Sequence, residues 1–264
     1  MRNFISSLKS EYYKSRKTLN FWATILLPVI LCSIVCLGFF AMADKFEKMD
    51  GKAIWGFFSG AILGVLGNLL LPLLVIFLAN SVNSLEHRAD TWKTLFSLPV
   101  SKWTIYAGKY FYVFLLLFVC MLLFALFTIG YGNLLGTISP TLKFHEYEMT
   151  GLLLASYFKL FLSCLGILYI QFLLSLVWSD FLKPMGIGFL LFIIGAVINS
   201  TNWHYAFLMP YAHPAISVKS MATNPNVKND PPIDIFTSEI LVSVILSAVV
   251  FFAGYYVVKR TRIK

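Results

Sequence analysis

The sequence predicts an all-α, polytopic membrane protein, and three observations predict it. The chain has 264 residues, 59% of them hydrophobic and only 12% charged, with a mean hydropathy of +0.79. A soluble domain is usually about half apolar and about a quarter charged. The apolar residues gather into six runs, each near the roughly 20 residues that carry a helix across hydrocarbon. Within each run the apolar character is continuous and does not alternate, which suits helices and not barrel strands.

The opening "MRNFISSLKSEYYKSRKTLN" (residues 1–20) precedes the first run. Phe4, Ile5, Leu8 and Tyr12 fall on one helical face, with Lys9 and Arg16 on another. That pattern predicts a basic amphipathic helix lying at a membrane surface, and it also serves as a charged topology anchor. The first run spans 21–43 and carries Pro28; the second spans 57–79 and carries Pro72. Proline inside a span removes a backbone hydrogen bond and usually kinks the helix. Ala41-Met42-Ala43 resembles a cleavage site, but the apolar run before it is too long for a signal peptide core, so the first span is expected to be retained. The second run also reads Gly60-x-x-x-Gly64, a spacing that lets another helix approach closely, whether within this chain or in a second subunit.

The third run is expected at 110–130, the fourth at 151–178, the fifth at 184–199 and the sixth at 240–258. Short loops are expected at 44–56 and 131–150, with a tight turn at 179–183. The segment 200–238 is the largest piece outside the spans. It begins "STNWHYAFLMPYAHPAISV", and aromatics of this kind collect at membrane interfaces. Short helices broken at Pro210 and Pro214 are expected to dip into the outer leaflet. The following "NPNVKNDPPID" reads as loop. The sequence shows no repeat and no linker, so residues 1–264 are read as one transmembrane domain.

The formal net charge is +9, and its placement sets the topology. Most of the 21 Lys and Arg fall in the opening segment, the loop 81–109, the turn at 179–183 and the tail. The positive-inside rule puts those segments, and both termini, in the cytoplasm. Nucleic-acid binding is disfavoured, because the charge sits at membrane edges and not on one soluble face.

Several chemistries lack their residues. No G-x-x-x-x-G-K-[ST] occurs, and Gly51-Lys52 and Gly108-Lys109 lack the upstream glycine, so this polypeptide has no P-loop. Neither H-E-x-x-H nor G-x-S-x-G occurs. Cys32 and Cys36 share a face without a nearby His or carboxylate and read as packing residues. His204 and His213, with Glu239 downstream, are a weak signal for zinc or acid–base chemistry in an intramembrane enzyme. No Asp or Glu lies in mid-span, which disfavours an ion-coupled carrier. Lys159 is expected to snorkel to the outer interface, and Asn68 and Gln171 to bond between helices. Work done by such a protein would draw its energy from a partner.

One stretch stands out. "NSVNSLEHRADTWKTLFSLPVSKWTIYAGKYF" (80–111) lies between two apolar runs, yet Leu85, Ala89, Trp92 and Phe96 recur at helical spacing. Glu86, Arg88, Asp90 and Lys93 occupy the remaining faces. The helix is expected to end before Pro99, and Ser101 to cap a new helix entering the third span. The same residues fit either a stiff elbow that takes motion from a soluble partner or an interfacial helix anchored by Trp92.

The layout of basic amphipathic helix, six spans and a large piece before the last span resembles the permease subunit of ABC-2 type ABC transporters. The most specific part is Glu86, Thr91, Leu95, Ser97, Leu98, Pro99, Val100, Ser101, Ile105, Gly108 and Lys109. Within that superfamily the chain is most similar to permeases of lantibiotic and bacitracin self-protection. The resemblance implies a non-catalytic subunit of the bacterial cytoplasmic membrane, paired with an identical or related permease. Two copies of a separate ATP-binding subunit, which hold ATP and Mg, would dock beneath. The resemblance makes Glu86 to Phe96 a coupling helix, with Trp92, Leu95 and Phe96 as its apolar plug and Glu86, Arg88, Asp90 and Lys93 as polar contacts. It also makes Phe4, Leu8, Lys9, Tyr12 and Arg16 part of a membrane-surface helix. The implied substrate is an amphipathic peptide, a drug or a lipid. The alternative is a membrane scaffold or sensor subunit with no transport of its own.

Overall fold

The computed structural model describes residues 2–89, 91, 94–95, 99–201, 203–221 and 233–260. Among them are six helices long and apolar enough to cross a membrane: Leu19–Ala41, Gly51–Ala89, Lys102–Ile138, Thr150–Val177, Leu182–Ser200 and Ser238–Arg260. The described residues contain no strand. All six expected spans are present, and most are longer than the apolar runs that announced them. The second and third have 39 and 37 residues, well beyond the roughly 20 that hydrocarbon requires. Their polar ends stay helical because the backbone ladder continues into the aqueous edge, where side-chain polarity costs nothing.

That extension changes two expectations. The stretch 80–89 is the end of the second span, not a separate helix. Likewise the third span runs through 131–138, where a loop was expected. The remainder of that loop forms two tight turns, Pro140–Leu142 and Phe144–Glu146, joined at Lys143, whose φ of 47° is left-handed. Ser101 caps the third span as its position predicts: its hydroxyl accepts from the Thr104 amide at 3.2 Å.

The second, third and fourth spans form the centre, and the first, fifth and sixth lie around it with far more of their surface open. Lipid tails are as apolar as leucine, so such helices are held by close packing and by bonds between them. Tyr110 and Tyr169 stack with ring centroids 3.7 Å apart, joining the third and fourth spans. The Tyr106 and Tyr110 hydroxyls donate to the Phe251 and Ser247 carbonyls at 2.9 and 3.0 Å, fastening the sixth span. Trp55 donates to the Phe144 carbonyl at 2.9 Å and lies where a side chain at Gly132 would otherwise be.

Two spans are irregular. The second contains a π turn at Leu66–Leu70, just before Pro72, whereas the first remains one helix through Pro28. The fourth breaks at Cys164 into Thr150–Ser163 and Leu165–Val177. The Ser243 hydroxyl of the sixth span repairs that break: it accepts from the Gly166 amide at 2.9 Å and lies 2.8 Å from the Leu162 carbonyl.

The segment after the fifth span folds back into the bundle as turns Ala206–Leu208 and Pro210–Ala212 and a helix, His213–Met221. Pro210 marks the break, while Pro214 sits within the first turn of the helix, where its missing N–H is harmless. The helix packs against the middle of the second span, where Gly67 leaves room for Val218. Gly195 does the same for the Tyr211 backbone, which would lie 2.7 Å from a Cβ at that position.

Two polar residues differ from expectation. Lys159 is not open to water: it is 1% exposed, donates to Ser220 Oγ and the Asp234 carbonyl at 2.8 Å each, both in the segment between the fifth and sixth spans, and sits 3.8 Å from Glu239. Asn68 bonds within its own helix, to the Gly64 carbonyl one turn back at 2.8 Å, as Asn80 does to the Ile76 carbonyl. Gln171 does bond between helices, to the Pro184 carbonyl at 3.1 Å.

Candidate functional site

The end of the bundle where the second span ends at Ala89 holds a cluster of four charges, three of them buried and Lys14 half-buried. Lys109, in the second turn of the third span, is 1% exposed. A lysine cannot be left there alone, since an unpaired buried charge costs several kcal/mol, on the order of 3–5. Its ammonium donates to Glu11 Oε2 and Glu86 Oε1, each at 3.0 Å, and to the Val82 carbonyl at 3.4 Å. Lys14 closes the cluster from the other side, at 2.9 Å from Glu11 Oε1 and 2.7 Å from Glu86 Oε1. The Thr91 hydroxyl donates to the second oxygen of Glu86. Among the described residues, two ammoniums and two carboxylates balance. Burial opposes the charge on Lys14, but Glu11 and Glu86 outweigh it and hold its pKa above the ordinary lysine value.

The cluster joins three pieces of chain that are far apart in sequence. Glu11 and Lys14 come from the N-terminal helix Arg2–Ser15. Glu86 comes from the last turn of the second span and Lys109 from the start of the third. The helix is seated by close contacts on both sides of the charges. Ser7 lies against Gly108, where a Cβ would collide with it; Phe4 meets Phe111 edge-on at 5.7 Å; and the Ser15 and Tyr112 hydroxyls bond.

The same last turns of the second span are gripped from the fourth. Asn83 Nδ2 donates to Ser175 Oγ at 2.9 Å and to the Phe172 carbonyl at 3.2 Å. The Ser175 hydroxyl lies 3.2 Å from the Ala79 carbonyl, and His87 Nε2 lies 3.1 Å from the Ser175 carbonyl. The Arg88 guanidinium sits 5.3 Å over the Phe181 ring, in the turn after the fourth span. Residues 80–89 are thus bolted to the fourth span on one side and to the N-terminal helix on the other. The chain then leaves them: the Thr91 amide reaches back to the Glu86 carbonyl at 3.1 Å, and the Leu95 amide bonds to the Thr91 carbonyl at 2.9 Å.

The residues singled out from the sequence divide accordingly. Glu86 is not a surface contact but 3% exposed within the cluster. Arg88 is exposed and Leu95 half-buried. Asp90, Trp92, Lys93 and Phe96 lie outside the described residues. In the N-terminal helix, Phe4 and Leu8 turn inward, whereas Tyr12, Lys9 and Arg16 are exposed, as is Ile5. The expected apolar face is therefore split. The inward face is instead the one bearing Ser7, Glu11, Lys14 and Ser15. Glu11 and Lys109 drew no role of their own from sequence, although Glu11 carried a signal as the one acid before Asp44; Lys109 was expected in the loop before the third span, which in fact begins at Lys102.

The histidines at the other end do not form a pair. His204 is exposed beside Tyr205. His213 is fully buried, with Nε2 2.8 Å from the Phe207 carbonyl, and burial pushes its pKa down to about 4. Among the described residues no group of three His, Cys, Asp or Glu could hold a metal ion. That end does contain an apolar cleft of about 440 Å³, between the second and fourth spans and the helix His213–Met221. Gly56 and Gly60 keep it open, with nothing within 4 Å of where their Cβ atoms would be, and Asp50 and Lys52 stand at one end of it.

A family model described as ABC-2 family transporter protein matches residues 7–195. No curated protein and no solved structure matches the chain.

Proposed function

The chain belongs to the ABC-2 family of transporter proteins, and from that premise we propose that it is the permease subunit of an ATP-driven exporter in the bacterial cytoplasmic membrane. A separate ATP-binding subunit, in two copies and carrying ATP and Mg, docks on the end that holds the charge cluster. A second permease chain, identical or related, completes the path. Both termini then lie in the cytoplasm, and the N-terminal helix lies on the inner leaflet.

The observation that carries this reading is the cluster of Lys109, Glu11, Glu86 and Lys14. A subunit pressing on the loop after Ala89 pushes on a chain whose root, Glu86, is buried and bonded to two other elements. Charged bonds in a low-dielectric site are stiff and directional, so the second span, the third span and the N-terminal helix move together. Arg88 and Leu95 belong to the contact surface; Asp90, Trp92, Lys93 and Phe96, which the sequence assigns to the same contact, lie outside the described residues. Glu86 acts as the fixed point behind that surface. The apolar cleft at the opposite end supports a hydrophobic or amphipathic cargo, since it offers apolar walls with charge at one end. Resemblance to self-protection permeases points to an antimicrobial peptide.

A charge-swap cycle tests the coupling role. Glu86→Lys and Lys109→Glu, each alone, are expected to lower cargo-stimulated ATP turnover at least tenfold in the reconstituted complex. The double variant restores the 86–109 pair but sets like charges together at 14 and 86 and at 11 and 109; adding Glu11→Lys and Lys14→Glu inverts all four charges, and that quadruple variant is expected to recover a substantial part of the turnover. Additive losses, with properly inserted protein, would remove the cluster from the coupling path. ATP turnover that no amphipathic cargo alters, in an intact complex, would instead favour a scaffold or sensor.

A further inference from the structure

We propose that the outward face of the N-terminal helix is a docking surface for the anionic phospholipid headgroups of the leaflet on which it lies, and that headgroup binding sets how firmly this helix seats on the charge cluster. The second half rests on the coupling role proposed above; the first does not.

The argument starts from charge segregation. Glu11, the one acid before Asp44, is turned inward, 4% exposed and paired with two lysines. The outward side of the helix and the turn after it therefore present Lys9, Arg16 and Lys17, all exposed, with no carboxylate of this segment among them. Anionic leaflets attract such a face by about 1 kcal/mol per Lys or Arg, which is roughly fivefold in affinity.

The same face is apolar between its cations, which selects a lipid surface over a free anion. Ile5 and Tyr13 are 54% and 59% exposed, and the Arg16 guanidinium lies 4.8 Å over the Tyr13 ring. The aromatic row continues from Tyr13 to Tyr12, Phe21 and Trp22, each ring within 6.1 Å of the next. Trp22 begins the exposed apolar stripe of the first span, which continues through Leu26 and Ile30. The basic face is thus continuous with a surface that must meet lipid. Aromatic rings followed by cations is the order of groups that the hydrocarbon edge and headgroup layer require.

The link to the cluster is short. Arg16 follows Ser15, which bonds to Tyr112, and Lys14, two residues before it, is shared between Glu11 and Glu86. Headgroups that hold Lys9, Arg16 and Lys17 hold the helix against the third span. On a neutral surface the helix keeps only its inward contacts.

The test uses the permease with its ATPase in nanodiscs of phosphatidylcholine alone, or of equal parts phosphatidylcholine and phosphatidylglycerol. Two quantities are read: enrichment of fluorescent phosphatidylglycerol around the protein, and cargo-stimulated ATP turnover. Wild type is expected to enrich phosphatidylglycerol and to turn over several-fold faster with it. Lys9→Gln with Arg16→Gln and Lys17→Gln is expected to lose both effects, each single change lowering enrichment up to fivefold. Inorganic phosphate is expected not to compete. No enrichment in wild type, equal enrichment in the triple variant, or displacement by phosphate would overturn the lipid assignment. Loss of ATPase binding by the triple variant in phosphatidylcholine alone would give the face to the ATPase instead. Enrichment without any change in turnover would overturn the regulatory half and leave the docking surface standing.

Discussion

Lys109 shows what one charged residue can impose on a membrane protein. It lies in a helix that is otherwise apolar or aromatic for several turns, and its ammonium is buried with two carboxylates around it. Lys109→Met removes the central cation and leaves Glu11 and Glu86 sharing Lys14 alone. The expected cost is about 3–5 kcal/mol, read as a lower thermal unfolding midpoint in detergent. Adding Glu86→Gln to it is expected to restore part of the loss, because one buried carboxylate no longer needs a partner. An unchanged midpoint in the single variant would mean that water reaches the cluster. The sequence read Glu86 as an outward polar contact, whereas the structure turns it inward. Periodicity alone marked Leu85, Ala89, Trp92 and Phe96 as one face, and it cannot tell which face turns inward when the buried one is polar. The partner residues, Glu11 and Lys14, are more than 70 positions from Glu86, a separation that no local pattern reports.

At the scale of elements, spans were legible and their interruptions were not. Apolar length announces a span, since hydrocarbon demands it, and all six were placed from that length alone. Their polar ends were cut short for the same reason: hydropathy stops where the helix does not. The break at Cys164 had no signal, because no proline or glycine precedes it; the repair by Ser243 is supplied from a different span. The folding back of His213–Met221 was half legible, through Pro210 and the aromatic row, but its seat on Gly67 depends on the tertiary fold. The glycines of the second span divide by environment. Gly67 is filled by Val218, while Gly56 and Gly60 face open space in the cleft. Gly60→Leu is therefore expected to be tolerated in folding and to fill the cleft. In the reconstituted complex it should leave basal ATP turnover intact and reduce cargo stimulation several-fold. Cargo stimulation equal to wild type would place the cargo elsewhere.

At the scale of the molecule, the two ends of the bundle differ in chemistry. One end gathers the basic residues, the N-terminal helix and the four-charge cluster; the other holds the cleft, the folded-back helix and the buried Lys159–Glu239 pair. The second and fourth spans run from one to the other, and the proposed coupling uses them to carry a force from the cluster to the walls of the cleft. The ABC-2 family implies a partner ATP-binding subunit, which on this proposal supplies the force. The measurement that tests this most directly is purification of the tagged protein from its native membrane in mild detergent, with identification of the proteins that accompany it. A stoichiometric P-loop ATPase is the predicted companion, retained by wild type and lost when Arg88→Glu is combined with Leu95→Asp. Recovery of well-folded protein without any ATPase, in several detergents and in native nanodiscs, would contradict the account.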